Sequence, residues 1–355
     1  MAVPQTALVL PEHVMLAPDV RSSLRLLGSI DAALTSTPLW LSRFIAGLAW
    51  VQPYLLGPSV PLARVHTERH AFGALRFYTP LAPAQPAAYL LYLHGGGFVL
   101  CGLDTHDALC RALAAATGMT IASLDYRLAP EHAVPAPQRD VLRAYQHLVA
   151  AAGPQARVAV GGDSAGGNLA TSLCLSLALA RDGREAPPFP CGARVAPLAE
   201  LAATPQPALQ LLIYPATDLA SDAPSHARYA RGWLLSARLR EFFWGHYLGA
   251  PGPAREALKR HVLLSPLAAA GDARALRGQC PAVILTAQYD ILHDEGVLYG
   301  EALQAAGVRV EHVEAWGLDH GFATATDLAT GARAVAECAG RVKALLGGGD
   351  ASAPR

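Results

Sequence analysis

The sequence is poor in charged residues and has no excess of either sign. Charged side chains make up 16% of its 355 residues, with 28 Lys and Arg against 28 Asp and Glu, and the formal net charge is zero. Proteins that bind nucleic acid or an acidic polymer usually carry a basic surface. The balance therefore predicts no nucleic-acid partner. The 52% of hydrophobic residues predicts an extensive buried core.

The cysteines are too scattered to predict a metal site or a disulfide framework. There is no Cys-x-x-Cys pair and no metal-ligand spacing among them. We expect each to be a free buried thiol, which favours the reducing cytoplasm as the location of the protein. They are Cys101, Cys110, Cys174, Cys191, Cys280 and Cys338.

No apolar run has the length and composition of a membrane span. The N-terminus has no basic segment, and Pro4 and Pro11 interrupt its first apolar run, so we expect no secretory signal. The segment Leu39–Leu56 is rich in large apolar residues but is interrupted by Arg43. Two interpretations remain for it: a helix packed on the body of the protein, or a lid whose apolar face covers a binding site.

Short apolar strands alternate with helical segments along most of the chain. This alternation predicts an α/β fold with a mainly parallel sheet covered on both faces, and reactive groups at the carboxyl ends of its strands. The predicted strands are Ala74–Tyr78, Tyr89–Leu93, Met119–Asp125, Arg157–Gly161, Leu209–Tyr214, Ala282–Ala287 and Arg309–Val313. The predicted helices lie near Pro137–Ala151, Gly167–Ala180, Asp294–Ala306 and Asp327–Leu346.

Two segments interrupt the alternation. Residues 181–207 contain six of the 27 prolines, which predicts an irregular surface excursion. Residues 218–249 end in an aromatic-rich helical pattern, with Ser236 as its predicted N-cap. Together with helices near the N-terminus, this inserted helix is expected to form a cap.

The most informative motif is G-x-S-x-G, formed by Gly162, Ser164 and Gly166 between a predicted strand and a predicted helix. A serine at such a sharp turn takes a strained backbone conformation, and the flanking glycines leave room for it. Its hydroxyl is then exposed at the tip of the turn. This arrangement is the nucleophile elbow of enzymes that carry out acyl chemistry.

A glycine run, His94-Gly95-Gly96-Gly97-Phe98, directly follows another predicted strand. Without side chains, its backbone N–H groups can closely approach a developing oxyanion, and one such donor is worth about 3 kcal/mol. A phosphate-binding loop is the alternative interpretation. It is disfavoured because the run lacks the G-x-G-x-x-G order and a Walker lysine.

A catalytic serine also needs a general base and an acid that orients the base. Of the 13 histidines, His320 lies in a loop after the last predicted strand, where an exposed base is expected. Asp290 follows a strand at its carboxyl end and is the favoured acid. Asp294 and Glu295 begin a helix, where capping explains them, and Asp319 adjoins the histidine.

Several motifs occur in the order found in the bacterial hormone-sensitive-lipase-like carboxylesterases of the α/β-hydrolase fold, which the chain resembles from about Tyr78 to Val342. They are His94–Phe98, Asp125–His132, Gly161–Asn168, Asp290–Gly296 and Asp319–Phe322. The resemblance implies a triad of Ser164, Asp290 and His320, with an oxyanion hole made by the N–H groups of Gly96, Gly97 and Ala165. Gly95 and His94 would support the glycine turn, and Asp163 would hold the elbow.

The resemblance also implies the domain organisation. A cap would comprise residues 1–57 and 218–249, and the catalytic domain residues 58–217 and 250–355. The cap would enclose a bounded apolar pocket for short-to-medium acyl esters, and no metal or organic cofactor would be needed. The expected pocket residues are Leu39, Trp40, Phe44, Phe98, Trp233 and Leu234.

Other functions stay open on the sequence. An amidase or deacetylase could use the same triad, and a non-catalytic ligand-binding protein could share the fold, although such a protein would be expected to lose His320. A homodimer is compatible with the sequence. We expect Tyr126, Arg127, Glu131 and His132 to form a loop, held by an internal ion pair, that braces the glycine turn. Asp319 could raise the pKa of His320 slightly, but we expect it instead to be solvated.

Overall fold

Eight strands form one sheet in a computed structural model of the chain, which describes residues 33–46, 60–84, 86–325 and 329–347. The strand order is β1-β2-β4-β3-β5-β6-β7-β8. β2 is antiparallel to its neighbours, and every other pair is parallel. The predicted α/β fold is confirmed. The strands are β1 Arg64–His70, β2 Gly73–Thr79, β3 Ala88–Leu93, β4 Thr120–Asp125, β5 Arg157–Asp163, β6 Gln210–Ile213, β7 Ala282–Tyr289 and β8 Val310–Asp319.

Successive strand residues point to opposite sides of the sheet, so both faces carry apolar side chains, and helices cover both faces. One apolar core includes residues of α4, α5 and α11, and the other includes residues of α3 and α12. Residues 33–36 (α1) and 39–46 (α2) are helical. The remaining helices are α3 Asp107–Thr117, α4 Ala136–Ala152, α5 Ala165–Arg181, α6 Leu198–Ala203, α7 Pro224–Arg228, α8 Ala237–Tyr247, α9 Pro253–Lys259, α10 Ala273–Arg277, α11 His293–Ala305 and α12 Ala329–Gly347, with 3-10 turns at Pro266–Gly271 and Phe322–Thr324.

Each strand and helix predicted between Ala74 and Leu346 has a counterpart in the structure. The largest difference is β8, which continues to Asp319, so that His320 follows the strand directly. Strand β1, helix α3 and the short helices α6, α7, α9 and α10 were not predicted. β1 is an edge strand with mostly exposed side chains, so it lacks the apolar alternation that marks a strand.

The two segments that interrupt the alternation differ in how they pack. The proline-rich residues 181–207 are irregular apart from α6, but Phe189 is buried and stacks on His261 with ring centroids 4.1 Å apart. This segment is therefore anchored in the core as well as exposed. Residues 218–249 contain α7 and α8, and the predicted N-cap Ser236 accepts a hydrogen bond from the Leu239 N–H at 3.0 Å.

The predicted N-terminal half of the cap lies largely outside the described residues, which include 33–46 of the range 1–57. Strands from both predicted catalytic segments, 58–217 and 250–355, join the same sheet. In the neighbouring strands β5, β6, β7 and β8, all parallel, the carboxyl ends lie at one edge of the sheet. The chain segments after β5, β7 and β8 are thereby brought close together.

Candidate active site

Ser164 occupies the single-residue turn between β5 and α5. Its φ of 54° and ψ of −117° lie outside the regions that side chains ordinarily favour. The turn is held by a hydrogen bond from the Ser164 N–H to the Ile213 carbonyl at 2.9 Å. It also needs a close approach to β3, since a Cβ atom on Gly166 would lie 1.8 Å from the Leu93 carbonyl oxygen. The nucleophile-elbow geometry is therefore built by the strand–turn–helix sequence itself.

Three side chains from different strand ends make a continuous hydrogen-bonded chain. His320 Nε2 lies 3.0 Å from Ser164 Oγ, and His320 Nδ1 lies 2.7 Å from Asp290 Oδ2. The other carboxylate oxygen, Oδ1, accepts a hydrogen bond from the Leu292 N–H at 2.8 Å. With its proton on Nδ1, the imidazole donates to Asp290 and accepts from the serine hydroxyl.

The electrostatics of the histidine suit a base. Burial lowers the pKa of His320, but the charge of Asp290 and its hydrogen bond outweigh burial, so the pKa lies above the ordinary histidine value. A raised pKa stabilises the imidazolium that forms when the ring takes a proton. Four other histidines that follow Ser164 in the sequence have different partners. The partners are the Phe242 carbonyl for His246, the Pro187 carbonyl for His261, Glu314 for His293 and Thr286 for His312.

Asp319 is not solvated, which corrects the expectation from the sequence. It is only 6% exposed, and its Oδ2 atom has no hydrogen-bond partner among the described residues. Burial raises the pKa of Asp319 to about 7, although the neighbouring His320 and a backbone hydrogen bond from Leu234 oppose the rise. A carboxyl group of unusual basicity therefore lies directly beside the histidine in sequence.

The glycine run turns tightly next to the elbow. Gly96 and Gly97 have φ of 104° and 61°, which favour glycine, and the Gly96 carbonyl accepts from the N–H groups of Val99 and Leu100 at 3.1 and 2.9 Å. Ala165 is the first residue of α5, so its N–H has no acceptor within the helix. These backbone groups come from two segments adjoining Ser164.

Asp163 links the elbow to the glycine run. Its Oδ1 atom accepts from the Tyr92 hydroxyl at 2.7 Å and from the Gly95 N–H at 2.9 Å, and His106 lies next to its Oδ2. Although burial raises the pKa of Asp163, the charge of His106 and these donors keep it below the ordinary value. An ionised carboxylate thus joins β3, β5 and the glycine turn.

The turn is braced from its other side by a buried aromatic pair. The His94 ring stacks on Tyr126 with centroids 4.3 Å apart, and the Tyr126 hydroxyl donates to the His94 carbonyl at 2.8 Å. His94 Nδ1 lies 2.7 Å from the Gly95 carbonyl. Burial lowers the pKa of His94 to about 4, so this ring is neutral and positions the turn.

The ion pairs of the loop after β4 differ from the prediction. Arg127 binds Asp140 at 2.7 Å rather than a residue of its own loop. Glu131 binds Arg43 of α2 at 2.8 Å. Arg43 also donates to the carbonyls of Val99 at 3.0 Å and Ala129 at 2.8 Å, and so joins the N-terminal helical segment to the chain that follows the glycine run.

A small cavity that is partly open to solvent begins at Ser164. Its lining is mostly apolar but includes one arginine, one histidine and two carboxyl groups. Helix α8 contributes much of the wall, and Phe98 links it to the glycine run by stacking on Tyr247 at 4.0 Å. The lining residues are Gly97, Phe98, Ser164, Ala165, Ala216, Asp218, Leu219, His226, Leu235, Arg240, Phe243, Trp244, Leu292 and Glu295.

Of the predicted pocket residues, Phe98 lines this cavity and the others lie elsewhere. Trp40 and Phe44 are 71% and 59% exposed, and Leu39 packs against the core. Trp233 stacks on the Tyr289 ring at 4.7 Å, and Leu235 lines the cavity in place of Leu234. The apolar pattern of residues 39–56 does not identify which of its side chains contact the cavity, because this depends on how the segment packs against the rest of the protein.

The polar residues of the cavity were missed by the sequence analysis. Glu295 does not cap α11: it is fully buried and accepts from the N–H groups of Thr217 and Asp218 at 2.7 and 3.1 Å. His226 and Arg240 carried no motif. One signal could have identified Arg240. It lies on the same face of α8 as Phe243 and Trp244, and the predicted cap would place this face over the active site.

One group of described side chains could hold a metal ion. The ligand atoms of Glu68, His70 and His147 all lie within 4.8 Å of one another. They belong to β1 and α4, and none is part of the Ser164 arrangement. Among the described residues, no helix is long and apolar enough to cross a membrane.

The elbow serine, the strand order and the strand-end acid and histidine define an α/β-hydrolase. A sequence profile of the alpha/beta hydrolase fold matches residues 90–324, and the chain belongs to this family. The resemblance to hormone-sensitive-lipase-like carboxylesterases is confirmed by curated relatives. The chain is 39% identical to ethyl acetate hydrolase of Pseudomonas putida over 254 residues, 70% of each chain. It is 35% identical to carboxylesterase NlhH of Mycobacterium tuberculosis over 276 residues, 77% of each.

A solved structure supports the same assignment. The ester hydrolase EH1AB1 from the metagenome of Lake Arreo, in complex with a bipyridine phosphonate derivative, is 34% identical to this chain. The match covers 94% of this chain and all of that one, with a TM-score of 0.77.

Proposed function

We propose that this protein is a serine carboxylesterase that hydrolyses short-to-medium acyl esters through an acyl-enzyme on Ser164. The observation that carries the proposal is the unbroken contact from Ser164 Oγ through His320 to the buried carboxylate of Asp290, at 3.0 and 2.7 Å. Nucleophile, base and orienting acid are each within hydrogen-bond reach of the next.

Acylation begins when Ser164 Oγ attacks the ester carbonyl and passes its proton to His320 Nε2. Asp290 holds the imidazole in the required tautomer and stabilises its positive charge. The carbonyl oxygen becomes an oxyanion, and the N–H groups of Gly96, Gly97 and Ala165 donate to it. His320 then protonates the leaving alkoxide, and the alcohol departs.

Deacylation repeats these steps with water as the nucleophile. His320 removes a proton from water, the hydroxide attacks the acyl carbonyl, and the same N–H groups stabilise the second oxyanion. Collapse returns the proton to Ser164 Oγ and releases the carboxylic acid. Every proton is accounted for by His320, so the cycle needs no metal or organic cofactor.

The substrate range follows from the cavity. Its apolar walls favour an acyl chain, and its limited size favours short-to-medium lengths. The names of the relatives, ethyl acetate hydrolase and carboxylesterase, support an ester as the reacting group. Fastest hydrolysis of chains longer than about ten carbons would contradict a bounded pocket.

The test compares p-nitrophenyl esters of increasing acyl length with a matching p-nitroanilide, using the full chain and its Ser164→Ala variant. We expect hydrolysis of the esters, little turnover of the anilide, and loss of both in the variant. Faster hydrolysis of the anilide would establish an amidase instead. Tight binding of a small apolar ligand without turnover would establish a non-catalytic receptor.

We also propose a cellular location for the protein. All six cysteines are free thiols, which supports a reducing, cytoplasmic location, although Cys191 is exposed and Cys101 only partly buried rather than buried as expected. The homodimer stays a prediction, and sedimentation velocity of the full chain measures it directly.

A further inference from the structure

The cavity that begins at Ser164 contains a cation with unused donors. Arg240 lies on α8, is partly buried and lines the cavity. The central carbon of its guanidinium lies 4.5 Å from the centroid of the Trp244 ring, which is a cation–π contact. An arginine presents five N–H donors in a rigid fork, and burial makes each unpaired donor costly.

One edge of this guanidinium is already bound. Arg240 Nη1 contacts His226 Nδ1, and His226 Nε2 lies 2.8 Å from Glu295 Oε2. Because the imidazole accepts from the arginine on Nδ1, it donates to Glu295 from Nε2. Glu295 is in turn fixed by two backbone N–H groups. This chain of hydrogen bonds fixes where the guanidinium points.

The rest of the guanidinium has no acceptor among the described residues. Arg240 Nε is buried without a hydrogen-bond partner in that part of the chain. Burial lowers the pKa of Arg240, although the charges of Glu295 and Glu241 oppose the fall. Most of the cavity around it is apolar, with Leu235, Phe243 and Leu292 among its walls.

We propose that Arg240 is a specificity-determining residue that binds a neutral carbonyl oxygen on the acyl chain of the ester, away from the scissile bond. The inference rests on the proposed esterase function. The apolar walls contact the methylene groups of the acyl chain. A carbonyl oxygen loses its hydrogen bonds to water when it enters the cavity, and the unpaired N–H groups of Arg240 can replace them. A carboxylate fits less well, because it would have to lose its water among apolar walls such as Leu235, Phe243 and Leu292.

The test uses three p-nitrophenyl esters of equal carbon number: hexanoate, 5-oxohexanoate and hydrogen adipate. Further esters carry the oxo group at position 4 or position 6, each compared with the unsubstituted ester of the same chain length. They measure how far from the scissile bond the carbonyl oxygen must lie. We expect kcat/KM for the best oxo ester to exceed that of its unsubstituted ester about tenfold, the size of one hydrogen bond to a charged donor. Adipate is expected to be the poorest substrate.

Three variants assign the preference to the side chain. Arg240→Met is expected to abolish the preference for the oxo ester while hexanoate is still hydrolysed, and Arg240→Lys to keep part of it. Arg238→Met changes an exposed arginine of the same helix and is expected to keep the wild-type ratio.

The outcomes separate this inference from the proposed function. If the wild-type protein hydrolyses no ester, the proposed function fails. If it hydrolyses hexanoate but prefers no oxo ester, or prefers adipate, the inference about Arg240 is wrong. An equal loss on all three esters in Arg240→Met, with a lower melting temperature, would mean that Arg240 only supports the fold and would also overturn the inference.

Discussion

The buried carboxyl group of Asp319 makes stability depend on pH in an unusual direction. Its pKa is about 7 in the folded protein, against an ordinary value of 3.8. Between these values the folded state keeps the proton that the unfolded state loses, so the free energy of unfolding falls as pH rises. Below pH 3.8 the two states bind the proton equally. Above pH 7 the full penalty for the buried charge is present.

The Asp319→Asn variant removes this penalty. A difference from 3.8 to about 7 corresponds to about 4 kcal/mol at most, since each pKa unit is worth about 1.4 kcal/mol. The amide oxygen can still accept from the Leu234 N–H, while the amide nitrogen, which lacks an acceptor, offsets part of the gain. We expect the variant to be more stable at pH 8 by about 2–3 kcal/mol, and the gain to shrink toward pH 5.

The assay is urea unfolding followed by tryptophan fluorescence between pH 5 and pH 8. Asp222→Asn, at an exposed site, is the matched control and should change stability little at any pH. A second readout is the pH profile of kcat/KM. Its acid limb should move to lower pH in Asp319→Asn, because the Asp319 charge helps to raise the pKa of His320. Parallel stability profiles for wild type and Asp319→Asn would refute the reasoning.

Three further predictions concern the geometry around Ser164. Asp290→Asn should lower kcat about 10⁴-fold with little change in KM, measured by steady-state ester hydrolysis, because the imidazole loses its orienting acceptor; near-normal turnover would contradict the role of Asp290. Arg43→Met should lower kcat about tenfold, since Arg43 ties α2 to the chain after the glycine run; a change in KM alone would instead point to substrate binding. Gly166→Ala should cost more than about 4 kcal/mol, because its Cβ would lie 1.8 Å from the Leu93 carbonyl oxygen; a melting temperature near that of the wild type would count against this account of the elbow.

The strands and the contact between Ser164, Asp290 and His320 were predictable because their signals are local. Apolar runs mark the buried strands. Gly162 and Gly166 mark a turn whose backbone lies too close to the Leu93 carbonyl for a side chain to fit. The order of Ser164, Asp290 and His320 along the chain then fits strand ends of one parallel sheet.

Residues whose roles depend on distant partners were not predictable. Glu131 pairs with Arg43, 88 residues away, and Arg127 with Asp140, so an ion pair within the loop was the wrong choice. Asp319 accepts a backbone hydrogen bond from Leu234, a distant residue that nothing near position 319 indicates. The contact between Arg240 and His226 likewise joins two separate helices, α7 and α8.

The central claim is that Ser164 is the acylated nucleophile, activated by His320. The most direct measurement is peptide mass spectrometry after reaction with an active-site-directed p-nitrophenyl phosphonate. The account predicts one phosphonyl group, on the peptide that contains Ser164, with greatly slowed labelling in His320→Ala and none in Ser164→Ala. Labelling at another residue, or unchanged labelling of Ser164→Ala, would contradict it.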